Sequence, residues 1–301
     1  MQGWEVSFTR AIFSVGSKPE YAVGKGDKIM ATYETIVYEQ AEDKIFRLTL
    51  NRPEKLNAMS QKLLRELDGA MEEFENNPAA SVLIIRGAGR AFCAGYDLQP
   101  TQQAGSSFTV SSDRIGLQKM VDRWQRLWSL PKPVIAQVHG YCLAGATELA
   151  GHCDIVFASD DAQFGHPAGR SLGILPTLSM WPILMGPRKA KEYFFTGDLM
   201  GAQEALEWHL VNRIFPKDKL EGETLDYARR VAMVPVDLLT LHKSAVNRYL
   251  DVLGFRALEQ SSADLDCIAH QTETVKNWMK ASREKGLRAA LTERDRPFGR
   301  K

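Results

Sequence analysis

Cysteine is scarce: Cys93, Cys142, Cys153 and Cys267 are the only four in 301 residues, and none forms a C-x-x-C pair. That excludes a disulfide scaffold and gives no zinc spacing, so the four read as packed thiols in a reducing compartment. The six histidines, His139, His152, His166, His209, His242 and His270, form no H-E-x-x-H and no i, i+4 pair, which leaves no motif for a metal. Charge of one sign is missing as well. Lys+Arg 38 against Asp+Glu 37 leaves +1, no field to draw in nucleic acid or an anionic membrane. No apolar run approaches the ~20 residues of a helical span, so no membrane partner is expected. The first 29 residues lack the apolar stretch of a secretory signal, and Glu5, Glu20 and Asp27 spoil the acid-poor composition of a transit peptide. A cytoplasmic location is therefore expected ahead of a mitochondrial matrix one.

What remains is an ordinary globular composition, 44% hydrophobic and 25% charged, over a length that holds one large domain or two smaller ones. Three segments are expected: an N-terminal extension at 1–29 without a packed pattern, an α/β core at 30–219 and a helical region at 220–301. Ile36 to Tyr38 and Ile45 to Leu50 alternate like two strands of a hairpin. Ser60 then precedes Leu63, Leu64, Leu67, Ala70, Met71 and Phe74 at helical spacing, and Asn76-Asn77-Pro78 closes that helix. Val82 to Ile85, Val134 to Val138 and Ile155 to Ala158 read as buried strands, with helices at Ile115 to Leu130, Ala146 to Ala150 and Arg188 to Phe195 between and after them. That alternation predicts a largely parallel sheet. Beyond Leu220 the pattern is all-helical, and the face of Leu238, Leu241, Ala245, Tyr249 and Val252 needs a surface to cover, its own core or another subunit's.

Two familiar motifs fail on context. Gly87-Ala88-Gly89 follows a strand, but the third glycine of a dinucleotide fingerprint is Phe92 and no acid falls ~20 residues on. Gly169-Arg170-Ser171-Leu172-Gly173 spells G-x-S-x-G, yet Pro167 and Pro176 flank it where a nucleophile elbow needs a strand and a helix. The stronger signal lies in two loops that each follow a buried strand: Arg90 to Leu98, reading RAFCAGYDL, and His139 to Leu149, reading HGYCLAGATEL.

Together with Asn51-Arg52-Pro53-Glu54-Lys55-Leu56-Asn57-Ala58, Cys153-Asp154-Ile155 and Phe194-Phe195-Thr196-Gly197, these loops closely resemble the crotonase, or enoyl-CoA hydratase/isomerase, superfamily. The resemblance runs from about Thr35 to the C-terminus, with several motifs in order at coherent spacing. It implies a crotonase-like ββα spiral, a C-terminal helical oligomerisation region, a homotrimer or hexamer, and an acyl-CoA thioester substrate handled without metal or redox cofactor. It also implies that the backbone N–H groups of Ala94 and Gly145 form an oxyanion hole for a thioester enolate, although glycines there serve turn geometry equally well. Glu148 lines up with the first of the two glutamates of the hydratases, as acid/base; its other reading is a partner for the helix dipole. Lys55 and Leu56 match the segment that runs beside the nucleotide of CoA, with Ala94, Tyr96, Asp97 and Leu98 added as substrate contacts. Arg52, and Arg296 and Phe298 near the C-terminus, are lesser candidates for CoA, the last two reading as a solvated tail otherwise. Tyr96, Trp124, Trp128, Met180 and Trp181 line an acyl pocket or fill the core.

One departure stands out. The second glutamate should follow Phe164-Gly165-His166-Pro167, and this chain has Ala168 there. Alanine transfers no proton, so the group that serves the α-carbon is missing from its usual place, and His166 becomes the candidate auxiliary. Hydration or dehydration of an enoyl-CoA by a single carboxylate is the leading expectation. Hydrolytic C–C cleavage or other enolate chemistry on a β-keto acyl-CoA, and acyl-CoA binding without turnover, stay open beside it.

Overall fold

A computed structural model describes residues 33–98, 109–178 and 180–299. The extension read at 1–29 lies outside the described residues. Strands β1 (Ile36–Glu42) and β2 (Ile45–Leu50) form the expected hairpin, turning at Lys44 with a positive φ of 60°. Helix α1 (Gln61–Asn76) starts where Ser60 accepts a hydrogen bond from the Leu63 N–H at 3.2 Å, and the six apolar residues of its periodic face are all buried. Each of the Leu, Met and Phe side chains among them contributes roughly 1.5–3 kcal/mol of burial.

Strand β3 (Val82–Gly87) runs parallel to β2. Helix α2 (Val110–Ser129) begins five residues before the apolar pattern does, because Thr109 and Ser112 cap it reciprocally. Strand β4 (Val134–Val138) is wholly buried; β5 (Tyr141–Leu143), α3 (Gly145–Gly151), β6 (Ile155–Ser159) and β7 (Gln163–Gly165) follow. Helix α4 (Met180–Thr196) breaks at Gly186, φ 79°, immediately before Pro187. Then come β8 (Leu199–Gly201), α5 (Ala202–Glu207), β9 (Arg213–Phe215) and α6 (Leu220–Ala232).

The main sheet has the order β1-β2-β3-β4-β6-β9, parallel except at the opening hairpin. α6 packs on one face with Ile45, Val82, Ile84, Ile135 and Phe157, and the larger core fills the other. A second sheet, β5-β7-β8, is made of three-residue strands, too short to show a period in sequence.

The C-terminal helices are α7 (Val236–Val252), α8 (Phe255–His270), α9 (Glu273–Lys285) and α10 (Leu287–Asp295). α8 packs against α2 through Leu117, Val121, Ala263 and Cys267. α7 instead touches the core through a buried cation, Lys243, paired with Asp154 at 2.8 Å. The face of Leu238, Leu241, Ala245, Tyr249 and Val252 is exposed, with Val252 at 86%, so this chain's own core does not cover it. No described helix is long and apolar enough to cross a membrane.

Candidate active site

Asn57 organises the loop after β3. Its side chain, fully buried, donates to the carbonyls of Ala88 and Ala91 at 2.8 Å and Phe92 at 3.2 Å, and accepts from the Arg52 N–H at 2.9 Å. The loop then bridges Cys93 to Cys142 of β5, which sets it beside the turn into α3. Gly95 makes the approach feasible: its φ is 96°, and a Cβ there would stand 2.7 Å from the Leu143 carbonyl oxygen and 3.2 Å from the Gly145 nitrogen.

These contacts correct one expectation. The Ala94 N–H donates to the Leu56 carbonyl at 2.9 Å, so it is spent on the fold and does not face a ligand. Tyr96, two residues on, is the free one. Gly95 O accepts from the Met59 N–H at 2.8 Å and the Asp97 N–H donates to Met59 O at 3.1 Å, which turns the N–H of the bridging residue Tyr96 away from Met59. The N–H groups of Tyr96 and of Gly145, the first residue of α3, have no hydrogen-bond partner among the described residues.

Beside these loops lies a cavity of about 610 Å³. Of the predicted residues, Lys55, Ala94, Tyr96, Asp97, Leu98 and His166 line it, as does Ala168 at the place of the missing acid. Asp97 is held by Arg52 at 2.9 Å. Leu56, Gly145 and Glu148 are not among the lining residues; Leu56 acts through its carbonyl, as above. His166 is 4% exposed, and burial pushes its pKa down to about 4 against the pull of the Gly173 backbone. It stands in the cavity wall as a neutral imidazole.

Glu148 is sealed. Its side chain is fully buried; one oxygen accepts from the Tyr96 hydroxyl at 2.7 Å, and the other accepts from the Thr177 N–H at 3.1 Å and from the Thr177 hydroxyl. Tyr96 in turn accepts from Trp124 Nε1 at 2.9 Å. The Tyr96 ring therefore stands between Glu148 and the cavity, and it also covers Gly145, where a Cβ would lie 2.4 Å from it. Burial lifts the Glu148 pKa above the usual carboxylate range, against the hydrogen bonds from Thr177 and Tyr96.

The aromatic residues proposed for an acyl pocket divide. Tyr96 lines the cavity and Trp124 backs it, whereas Trp128, Met180 and Trp181 border a separate space of about 200 Å³. Ser171 follows the 3-10 turn Pro167–Arg170 rather than the end of a strand, and its buried hydroxyl has no hydrogen-bond partner among the described residues, which removes the nucleophile elbow. Phe298 is 44% exposed and lies against the Arg170 guanidinium, 3.8 Å from the ring centroid. Among the cavity residues that sequence reasoning missed are the ionisable pair Asp266 and His270 on α8. Their four-residue spacing on one predicted helix was the available signal, since it places both on one side.

The sequence profile of the enoyl-CoA hydratase/isomerase family matches residues 40–299. EchA13 of Mycobacterium tuberculosis, named for enoyl-CoA hydratase, is 35% identical over 81% of this chain and 83% of its own length. An enoyl-CoA hydratase/isomerase structure from Xanthobacter autotrophicus Py2 superposes with a TM-score of 0.82 at 37% identity, over 88% of this chain and 99% of that one. An enoyl-CoA hydratase from Mycobacterium smegmatis gives 0.82 at 32% identity, over 88% and 94%. With both sheets, the paired loops and the C-terminal helices in the crotonase arrangement, this chain belongs to the enoyl-CoA hydratase/isomerase family.

Proposed function

We propose that the chain is an acyl-CoA lyase that adds water to, or removes it from, an enoyl-CoA thioester. The observation that carries this reading is the pair of unpartnered N–H groups, Tyr96 and Gly145, on two abutting loops beside the cavity. Donors fixed where an enolate oxygen gains charge are commonly worth ~3 kcal/mol each when removed singly. In the hydration direction a water oxygen bonds to the β-carbon while Glu148 takes its proton. The C=C electron pair moves into the enolate held by the two N–H groups, and a proton delivered to the α-carbon restores the thioester. Glu148 meets that water only when the Tyr96 ring turns aside, breaking its hydrogen bond to the carboxyl. His166, neutral, serves as an auxiliary hydrogen-bonding group, and Lys55 meets a phosphate of CoA. Water, the thioester and these side chains account for every bond made and broken, without a metal or redox cofactor. The exposed α7 face supports self-association as a homotrimer or hexamer, and four buried free thiols support a reducing, cytoplasmic setting.

The sealing of Glu148 favours a second reading, acyl-CoA binding without turnover. The variant Glu148→Gln separates them. Gln fits the same pocket, its oxygen accepting from Thr177 and its amide donating to Tyr96. For the lyase, enoyl-CoA turnover falls by ~10²-fold or more while calorimetric affinity for the thioester is retained. Wild-type protein that binds the thioester and turns nothing over supports the binding reading.

A further inference from the structure

Ala168 cannot move a proton and Glu148 is committed to the β-carbon, which leaves the α-carbon unserved. The same cavity is lined by Asp266 and His270, one turn apart at the end of α8. His270 Nδ1 is hydrogen-bonded to Asp113 Oδ2, from the first turn of α2, at 2.9 Å. His270 Nε2 faces Asp266 Oδ1 at 3.6 Å, and that oxygen accepts the Ile174 N–H at 2.7 Å. Gly173 closes the loop after Ala168 directly onto the pair: its φ is 115°, and a Cβ would stand 2.5 Å from Asp266 Oδ1 and 3.1 Å from His270 Nε2. Two buried aspartates hold a partly buried histidine across two helices, on a cavity otherwise rich in leucine, an arrangement suited to acid–base work rather than a surface ion pair.

We propose that Asp266, tuned by His270 and Asp113, gives and takes the proton at the α-carbon of the bound acyl thioester, a role that rests on the enolate reading above. From the enolate, the C=C electron pair takes the proton of the Asp266 carboxyl; the α C–H bond forms, the carbonyl re-forms, and Asp266 is left as carboxylate. In reverse the carboxylate removes the α-proton. After hydration Asp266 regains a proton from solvent and Glu148 returns one, so the net change is one water added. Burial pushes the Asp266 pKa up to about 7, His270 and the Ile174 N–H pull it down, and Glu148 and Asp113 push it up. The hydrogen bond that His270 donates to Asp113 raises that of His270. The Cys267 thiol lies beside the cluster, and on the cavity wall His166 is neutral and Arg294 is tied to Asp295 at 2.8 Å.

The test follows deuterium uptake at the α-carbon of butyryl-, octanoyl- and lauroyl-CoA in heavy water, with binding measured by calorimetry, on the full chain. These saturated probes have no double bond to hydrate. Wild-type protein is expected to exchange the α-proton with a rate that rises through near-neutral pH. Asp266→Asn is expected to lose ~10²-fold or more of that rate with affinity retained. His270→Gln is expected to move the midpoint upward, because it withdraws the imidazolium charge that favours the Asp266 carboxylate. Exchange that survives in Asp266→Asn but disappears in Glu148→Gln overturns the proposal, as does binding without exchange in the wild type. Should Asp266→Asn not fold, an unmoved midpoint in His270→Gln overturns it. Failure to bind any of the three probes sinks the acyl-CoA reading and this inference together.

Discussion

His166 and Glu148 are buried with displaced pKa values of opposite consequence. A histidine in the unfolded chain takes up its proton below about pH 6.5, but His166 in the fold does so only below about 4. Between these values the unfolded state binds more protons, so this contribution is full above pH 6.5 and is lost as pH falls through the window. The whole difference corresponds to roughly 3 kcal/mol. Urea unfolding at pH 7 and pH 4.5 should show the loss in wild type and a flatter response in His166→Gln; equal slopes would place the sensitivity elsewhere. Glu148 runs the other way. Its pKa is raised by burial, so the fold carries a penalty that grows as pH rises above the carboxylate range, and Glu148→Gln is expected to melt no lower than wild type at pH 7. Lower melting would show that the hydrogen bonds to Thr177 and Tyr96 need a full carboxylate.

The loop after β3 depends on one side chain. Asn57→Ala leaves three carbonyls without their donor in a buried place, and a loss of about 2–4 kcal/mol in denaturant unfolding is expected. A change within 0.5 kcal/mol, roughly that of a surface substitution, would show that water replaces the amide there. Much of this region was legible before the structure. Continuous apolar runs gave β3 and β4, which are buried on both faces, and helical periodicity gave α1, which buries one. The paired loops marked the site through motifs at fixed spacing. Which N–H is free was not legible, because Ala94 and Tyr96 differ only in the partners found by their backbones, Leu56 O for one and none for the other. The sheet β5-β7-β8 escaped because three residues hold no period. Asp266 and His270 escaped because they come from a helix some hundred residues beyond Ala168, and only tertiary packing brings them to one wall.

At the scale of the whole molecule, the described residues leave the apolar row on α7 without cover, and Leu265 and Ile268 on α8 are exposed as well. Leu241 and Tyr249, 65% and 66% exposed, belong to that row. Sedimentation analysis is expected to show a trimer or hexamer that Leu241→Asp with Tyr249→Lys dissociates; a monomeric wild type would leave the row to another partner. The central claim is chemical: a thioester enolate forms beside Tyr96 and Gly145. The most direct measurement is mass spectrometry of a panel of enoyl-CoA and β-keto-CoA thioesters incubated with the purified chain in heavy water. Water added to an enoyl-CoA, with one deuterium fixed at the α-carbon, is the predicted result. Enoyl thioesters recovered without added water or deuterium, while a β-keto thioester is cleaved or nothing reacts, would contradict it.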